Sequence, residues 1–348
     1  MRVAAAAGAA RARPGARPRP RPPPLRPRPP RACRPPSSRC RRNLTPSLWR
    51  AYITAGDSGG RHEDLCTTAG AIPALVGALT RHAGEASLCD NASWALANIA
   101  ATSDAHCNAC ATAGAIPALV GALTRHAGEV DVCDNASWAL ANIMATSDAH
   151  RDACGTAGAI PALVCAMARH AGEVRVCTNA SAALGNITDT SNAHRNACVA
   201  AGAIPALVGA LTRHAGEAGV CNSASFALSN IAFGLVARHD ACVAAGAIPV
   251  LVCALTRHAG EAGVCRSAGD ALRNIAWTSP AHRAAAVAAG AVPCLAAAWA
   301  AHPSAKAAAH GALDKLGYRD NGTRNKKIIG VFTPHAGCLR RLSGTTTW

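Results

Sequence analysis

The chain has 348 residues, half of them hydrophobic but only 3% aromatic, and a formal net charge of +16. Much of the apolar share is alanine, which argues against a globular core filled by large rings and suits thin, closely stacked helices. No uninterrupted apolar run reaches the roughly 18 residues that a bilayer-spanning helix needs, so no transmembrane helix is expected.

The charge is unevenly placed. Residues 1–56 carry 14 arginines and no acid, and residues 319–348 carry six basic residues and one acid. The body between them, 57–318, holds 15 basic and 18 acidic residues, a net of −3. That arithmetic excludes a basic nucleic-acid-binding body. The 17 cysteines are equally ordered. Cys66, Cys110, Cys154, Cys198 and Cys242 share one spacing, and Cys89, Cys133, Cys177, Cys221 and Cys265 another. A cysteine that recurs in register behaves as a small buried apolar residue, so free thiols and a reducing compartment are expected.

In chain order, residues 1–43 alternate Ala, Arg and Pro, and proline at this density favours an extended, solvated chain. A disordered N-terminal tail over 1–56 is expected. Within it, Leu44–Thr54 suits a short helix with Thr45 as cap and Pro46 in its first turn. Its Trp49 and Ile53 would cover the open end of the body at 57–318. Asp57–Gly60 reads as a linker.

From Ala69 the string AGAIPALVGALTRHAGE appears, and it recurs letter for letter at Ala113 and Ala201, with degenerate copies at Ala157, Ala245 and Ala289. The starts are 44 residues apart. A period of this size marks a solenoid whose repeats bury their apolar faces only against neighbours. In the second copy, Cys107–Thr112 reads as a short helix ended by Gly114. Ala115-Ile116-Pro117 then opens a second helix with the stripe Ile116, Leu119, Val120 and Leu123. Gly128 closes it, and Glu129–Ala145 forms the third and longest, with Val132, Ala136, Leu140 and Ile143 facing inward. The copy from Ala289 is eroded, and its last helix, expected over Ser304–Leu316, is more polar, as a terminal cap must be. Residues 319–348 fit no repeat and stay unassigned.

A short helix, Gly-Ala-Ile-Pro-x-Leu-Val, and a long helix ending in Trp-Ala-Leu-x-Asn-Ile resemble the armadillo repeat, and most closely the groove-forming repeats of importin-α. The resemblance covers about residues 61–318, six units with the last incomplete. It implies an all-α, right-handed α-solenoid of about six armadillo repeats. HEAT repeats are the nearest alternative, but lack the Gly-Ala-Ile-Pro turn.

The long helix carries the functional expectation. Asn98, Asn142, Asn186, Asn230 and Asn274 stand 44 apart, and one turn earlier stand Trp94, Trp138, Ala182, Phe226 and Asp270. Residues at i and i+4 share a helix face. The resemblance implies that this face lines a concave groove in which the asparagines hold the backbone of an extended peptide and the tryptophans wall its side-chain pockets. The chemistry suits that role, since a carboxamide offers both a donor and an acceptor and a Trp face attracts Lys or Arg. One turn before the Trp row stand Asp90 and Asp134, expected to select basic side chains, followed by Thr178, Asn222 and Arg266. The second half of the face loses its tryptophans and gains Arg266 and Arg273. The competing reading makes the asparagines caps for carbonyls in neighbouring repeats and the tryptophans simple packing.

Other patterns point nowhere sharper. The pairs His62/Cys66, His106/Cys110, His150/Cys154 and His194/Cys198 have metal-ligand spacing but no second pair to complete a tetrahedron, so no metal is expected. Cys107-x-x-Cys110 lacks the strand context of a redox motif. His82, His126, His170, His214, His258 and His302 end the middle helices, where they favour the dipole, and read as surface. Asn91-Ala-Ser93 and its copies match a glycosylation acceptor but sit on the groove face. No nucleophile triad, phosphate loop or carboxylate pair stands out, so neither enzyme activity, cofactor nor small-molecule substrate is expected.

The expected function is binding of an extended, Lys/Arg-rich peptide segment of another protein. Two classes compete: a nuclear import adaptor like importin-α, and a scaffold without a transport role. The expected location is cytoplasm, nucleus or both. The arginine-rich tail has three readings: an organelle transit peptide, against which its prolines argue; an arm for anionic surfaces; and an internal ligand for the acidic half of its own groove.

Overall fold

The computed structural model describes residues 70–319 and Thr323, and contains 17 α-helices among them. The predicted cap helix with Trp49 and Ile53, the first short helix with His62 and Cys66, and both tails lie outside the described residues. The first unit contributes α1 (Ala71–Arg81) and α2 (Ala86–Ala100). The second has α3 (Asp104–Thr112), α4 (Ala115–Arg125) and α5 (Val130–Met144), and the third α6 (Asp148–Thr156), α7 (Ala159–Arg169) and α8 (Val174–Thr188). The fourth has α9 (Asn192–Ala200), α10 (Ala203–Arg213) and α11 (Ala218–Ala232), and the fifth α12 (Val236–Ala244), α13 (Ala247–Arg257) and α14 (Ala262–Ile275). The sixth has α15 (Pro280–Ala288), α16 (Ala291–Ala301), a 3-10 turn at Pro303–Ala305 and α17 (Lys306–Leu316).

The sixth unit, expected to be incomplete, therefore has all three helices, with α17 at 11 residues against 15 in α5. It starts at Lys306 rather than Ser304 because Pro303 opens a 3-10 turn first. The short helix of the second unit begins at Asp104, three residues before the expected Cys107. Ser103 caps it there, its hydroxyl accepting the His106 N–H at 3.2 Å, which satisfies one of the orphan donors of the first turn.

In the second, fourth, fifth and sixth units the short helix meets its middle helix at a sharp bend, 73° between α3 and α4. Gly114 makes that corner with φ of 84°, a left-handed conformation that residues with a Cβ seldom adopt. Pro117 follows in the first turn of α4, where a missing N–H leaves no bond unmade.

The long helices α2, α5, α8, α11, α14 and α17 stack consecutively into one layer. The predicted inward face of α5 is buried as expected, with Val132 at 1% and Ala136, Leu140 and Ile143 at 0% exposure. Ile116, Leu119, Val120 and Leu123 of α4 are buried too. Burial of one Leu or Ile contributes about 1.5–3 kcal/mol, and Leu96, Leu140, Leu184, Leu228 and Leu272 repeat that contribution unit after unit. The ten cysteines Cys89, Cys107, Cys110, Cys133, Cys154, Cys177, Cys198, Cys221, Cys242 and Cys265 are buried and free. No single described helix is long and apolar enough to cross a membrane.

Five of the six histidines that end the middle helices correct the surface reading, His82 alone pairing with the exposed Glu85. Nε2 of His126 donates to the carbonyl of Ala83 at 2.7 Å, His170 to Ala127 at 2.9 Å, and His214 to Ala171 at 2.8 Å. His258 and His302 bond Ala215 and Ala259 in the same way, at 2.9 and 2.7 Å. Each ring thus ties its unit to the loop of the preceding one. The other row caps long helices: Nδ1 of His150 meets the carbonyl of Ile143 at 2.9 Å, and that of His194 the carbonyl of Ile187 at 3.1 Å. Most members of both rows are committed to backbone oxygens, whereas Nδ1 of His82 meets Oε1 of Glu85 at 3.2 Å and Nδ1 of His106 meets the Thr102 hydroxyl. Among the described residues no cluster of three or more His, Cys, Asp or Glu side chains is placed to hold a metal.

The hydroxyls of Ser93, Ser137 and Ser225 are fully buried without a hydrogen-bond partner. A buried orphan hydroxyl costs about 1–3 kcal/mol. Ser137→Ala is therefore expected to stabilise the chain by about 1 kcal/mol, read as a higher urea midpoint at unchanged slope. A lower midpoint would mean that the hydroxyl has a partner in solution.

Candidate functional site

The outward face of the long-helix layer carries the predicted row. Trp94, Asn98, Trp138, Asn142, Asn186, Phe226 and Asn230 are half-buried, whereas Asn274 is only 7% exposed. They lie on successive long helices in one register, because α2, α5, α8, α11 and α14 stack without slippage.

The asparagine amides are partly committed within the layer. Nδ2 of Asn142 donates to the carbonyl of Ala97 at 3.0 Å, Asn186 to Ala141 at 2.9 Å, Asn230 to Gly185 at 3.0 Å and Asn274 to Ser229 at 2.9 Å. Asn98 has no described long helix before it, and it donates to Trp94 of its own helix at 2.8 Å. The structure thus contains the interrepeat bonds of the competing, capping reading. One amide hydrogen bridges units, and each carboxamide has by its chemistry a second N–H and a set of oxygen lone pairs. A structural and a recognition role coexist in one side chain.

The acids are held in the same manner. Oδ1 of Asp90 accepts from Nδ2 of Asn135 at 2.6 Å, and Oδ1 of Asp134 from Nδ2 of Asn179 at 2.7 Å. Asp134 is 3% exposed and its other oxygen meets Arg175 at 3.0 Å. Arg175 also reaches Asp131 at 3.1 Å. A basic ligand at Asp134 must therefore displace Arg175, whereas Asp90 has no cation within ion-pair distance among the described residues. Burial raises the carboxyl pKa of both above the usual range, and the amide partners pull it back down.

Sequence reasoning missed Arg175, Asn135 and Asn179. The two asparagines stand 45 residues after the acids they bind, one more than the repeat period, and in the sequence they stand out only as part of an Asn-x-Ser pattern.

Phe226 packs onto the backbone of α8. A methyl group built on Gly185 would lie 2.4 Å from its ring. The glycine is thus what lets Phe226 lie flat where the earlier units have Trp94 and Trp138. In the fifth unit the row changes sign. Asp270 pairs with Arg273 at 2.9 Å, and Arg266, in the register of Asp90, is exposed. Burial raises the carboxyl pKa of Asp270, with Arg273 and Arg266 opposing.

The buried thiols are inert by the same desolvation. Burial pushes the thiols of Cys110, Cys154, Cys198 and Cys242 up to about 12. The attacking species is the thiolate, so none of them is a nucleophile near neutral pH.

A sharply bent short helix, a middle helix and a stacked long helix with an outward Trp/Asn row define an armadillo-type α-solenoid. The comparisons agree. A family model described as LRRK2 ARM repeat matches residues 110–287, half of the chain, and the Armadillo/beta-catenin-like repeat model matches residues 64–101. The chain belongs to the armadillo repeat family. No curated protein sequence matches it. Among solved structures, it is similar to a designed armadillo repeat protein, YIII(Dq)4CqI, with TM-score 0.60 and 29% identity over 70% of this chain and 99% of that one. A second designed armadillo protein, solved in complex with the peptide (KR)4, gives TM-score 0.58 and 27% identity over 70% and 99%. A third, described as computationally designed for modular peptide recognition, gives 0.60 and 28% over the same shares.

Two outcomes are expected from this geometry. Gly185→Ala should drive Phe226 off α8 and cost about 1–3 kcal/mol, measured by urea unfolding; an unchanged midpoint would mean that Phe226 does not lie on that backbone. In the native chain at pH 8, the exposed Cys165 should react with a thiol reagent at least about 100-fold faster than Cys110, Cys154, Cys198 and Cys242, read by peptide mass after quenching.

Proposed function

We propose that this chain is a peptide-binding scaffold whose long-helix groove takes an extended, Lys/Arg-rich segment of another protein. The observation that carries the reading is the pairing of Trp94 with Asn98 and Trp138 with Asn142 on adjacent helices, beside the acids Asp90, Asp131 and Asp134. Stacked helices lie roughly 8–10 Å apart and an extended peptide rises about 3.3 Å per residue, so each unit serves two or three ligand residues. Each tryptophan contributes about 0.5–2 kcal/mol to holding a cationic stem. The (KR)4 ligand of one structural neighbour supports a basic peptide. The armadillo fold is a binding framework rather than a catalytic one, in keeping with a non-enzymatic role.

Within this reading, an importin-α-like adaptor for basic nuclear-localisation segments, moving between cytoplasm and nucleus, is the finer proposal. It is supported by the Trp/Asn pairs, and the loss of tryptophan after Trp138 favours the alternative, a scaffold that joins proteins without transport. The arginine-rich residues 1–56 are proposed as an internal competitor for the same acidic half.

The test is titration of a (Lys-Arg)4 peptide into the full chain. Micromolar binding is expected, weakened about ten-fold or more by Asn98→Ala combined with Asn142→Ala, with unfolding midpoints checked in parallel. Affinity should also fall as pH drops. Asp90 and Asp134 attract cations only when ionised, and burial raises their pKa. The loss therefore begins at a higher pH than the ordinary aspartate value of about 3.9 would set. Absence of binding at low ionic strength would sink the basic-peptide reading.

A further inference from the structure

Four large apolar side chains stand exposed among the described residues: Phe233, Leu235, Val236 and Trp277, each about half exposed. They occupy one kind of loop, the link from a long helix to the next short helix. Phe233 and Trp277 are 44 residues apart, at the position held earlier by Ala101, Ala145 and Asp189. Leu235 replaces the serine that precedes the other described short helices and caps three of the four. The hydroxyls of Ser103, Ser191 and Ser279 accept a first-turn N–H, and α12 has no side-chain cap. Hydration alone would favour the serine and the small residue, both of which the repeat supplies elsewhere. The two loops are neighbours, joined where Thr278 meets Nδ1 of His239 at 3.5 Å. These exposed apolar side chains therefore stand on adjacent loops along one rim of the fourth and fifth units, and exposed apolar surface of this kind marks sites that are covered.

Cations lie on the two rings. Nζ of Lys315 is 3.9 Å from the ring centre of Trp277, and the guanidinium of Arg195 is 5.2 Å from that of Phe233. Lys315 is in the last turn of α17, so the chain leaves the solenoid beside the patch. The Arg319 N–H donates to the carbonyl of Thr323 at 2.8 Å. Five residues further on begins Ile328-Ile329-Gly330-Val331-Phe332, the one large-residue apolar run in the unassigned C-terminal stretch. Five extended residues reach about 17 Å, and one repeat spacing is about 10 Å.

We propose that residues Ile328–Phe332 of this chain dock on the Phe233–Leu235–Val236–Trp277 patch. The run has four apolar side chains to set against the four exposed ones. Arg324, Lys326 and Lys327, which precede it, can meet Asp314, beside Lys315, and Asp240, one helical turn from Val236; both acids are exposed. A tether this short holds the run at millimolar effective concentration, which an outside partner must exceed. The C-terminal residues thereby clamp the fourth, fifth and sixth units together along the rim. This inference is independent of what the groove binds.

The experiment is amide hydrogen exchange by mass spectrometry on the full chain. Amides of residues 233–237 and 277–279 should exchange about ten-fold more slowly in the natural chain than in a full-length Ile329→Asp/Phe332→Asp variant. Reciprocally, Phe233→Ser with Trp277→Ser should speed exchange at 328–332, while the helices of the first three units keep their protection. Equal rates in the natural chain and the Asp variant would overturn the proposal. So would protection that grows with protein concentration, which would assign the patch to a second copy of the chain.

Discussion

Everything in this solenoid depends on how closely successive long helices approach. The facing surfaces carry alanine, serine, cysteine and glycine, and Ala92, Ala136, Ala180, Ala224 and Ala268 are all nearly or fully buried. Small side chains let the backbones come near enough for leucine and isoleucine of each unit to be sealed by the next. No unit encloses its own core, so stability is shared between neighbours. The scarcity of aromatic residues follows from the same constraint, since rings in these positions would force the helices apart.

Close approach also brings polar side chains within reach of carbonyls one unit away. The asparagine bonds of 2.9–3.0 Å to Ala97, Ala141, Gly185 and Ser229 depend on that spacing, as do the histidine bonds on the other side of each unit. These bonds fix the rotamers of the side chains that face outward. A row of asparagines already oriented loses less entropy when a ligand arrives than a row of free ones. The same logic applies to Asp90 and Asp134, each gripped by an asparagine from the following unit.

The face built this way is not uniform. The first two units present tryptophan and acid, the fourth has Phe226 laid over Gly185, and the fifth has an Asp270–Arg273 pair. The rim diverges in parallel, with the exposed apolar loops following the fourth and fifth units, beyond the last tryptophan of the row. Near-identical repeats thus support two surfaces of different chemistry, through substitutions on the outward face and one within the stacked layer, the buried Gly185 beneath Phe226.

Repeat number, helix order and the buried stripes were legible in the sequence because each rests on local rules: a glycine that must adopt positive φ, a proline confined to a first turn, and apolar residues at helical spacing. The register of Trp94, Trp138 and the asparagines was legible for the same reason, being a matter of counting along one helix. The partners of those side chains were not. That Asn135 serves Asp90, that His170 serves a carbonyl of the preceding loop rather than solvent, and that Arg175 neutralises Asp134 depend on which residues stacking places side by side. A repeat period states that units adjoin, but the distance and rotation between them arise from packing over the whole layer, and hydrogen bonds respond to tenths of an ångström.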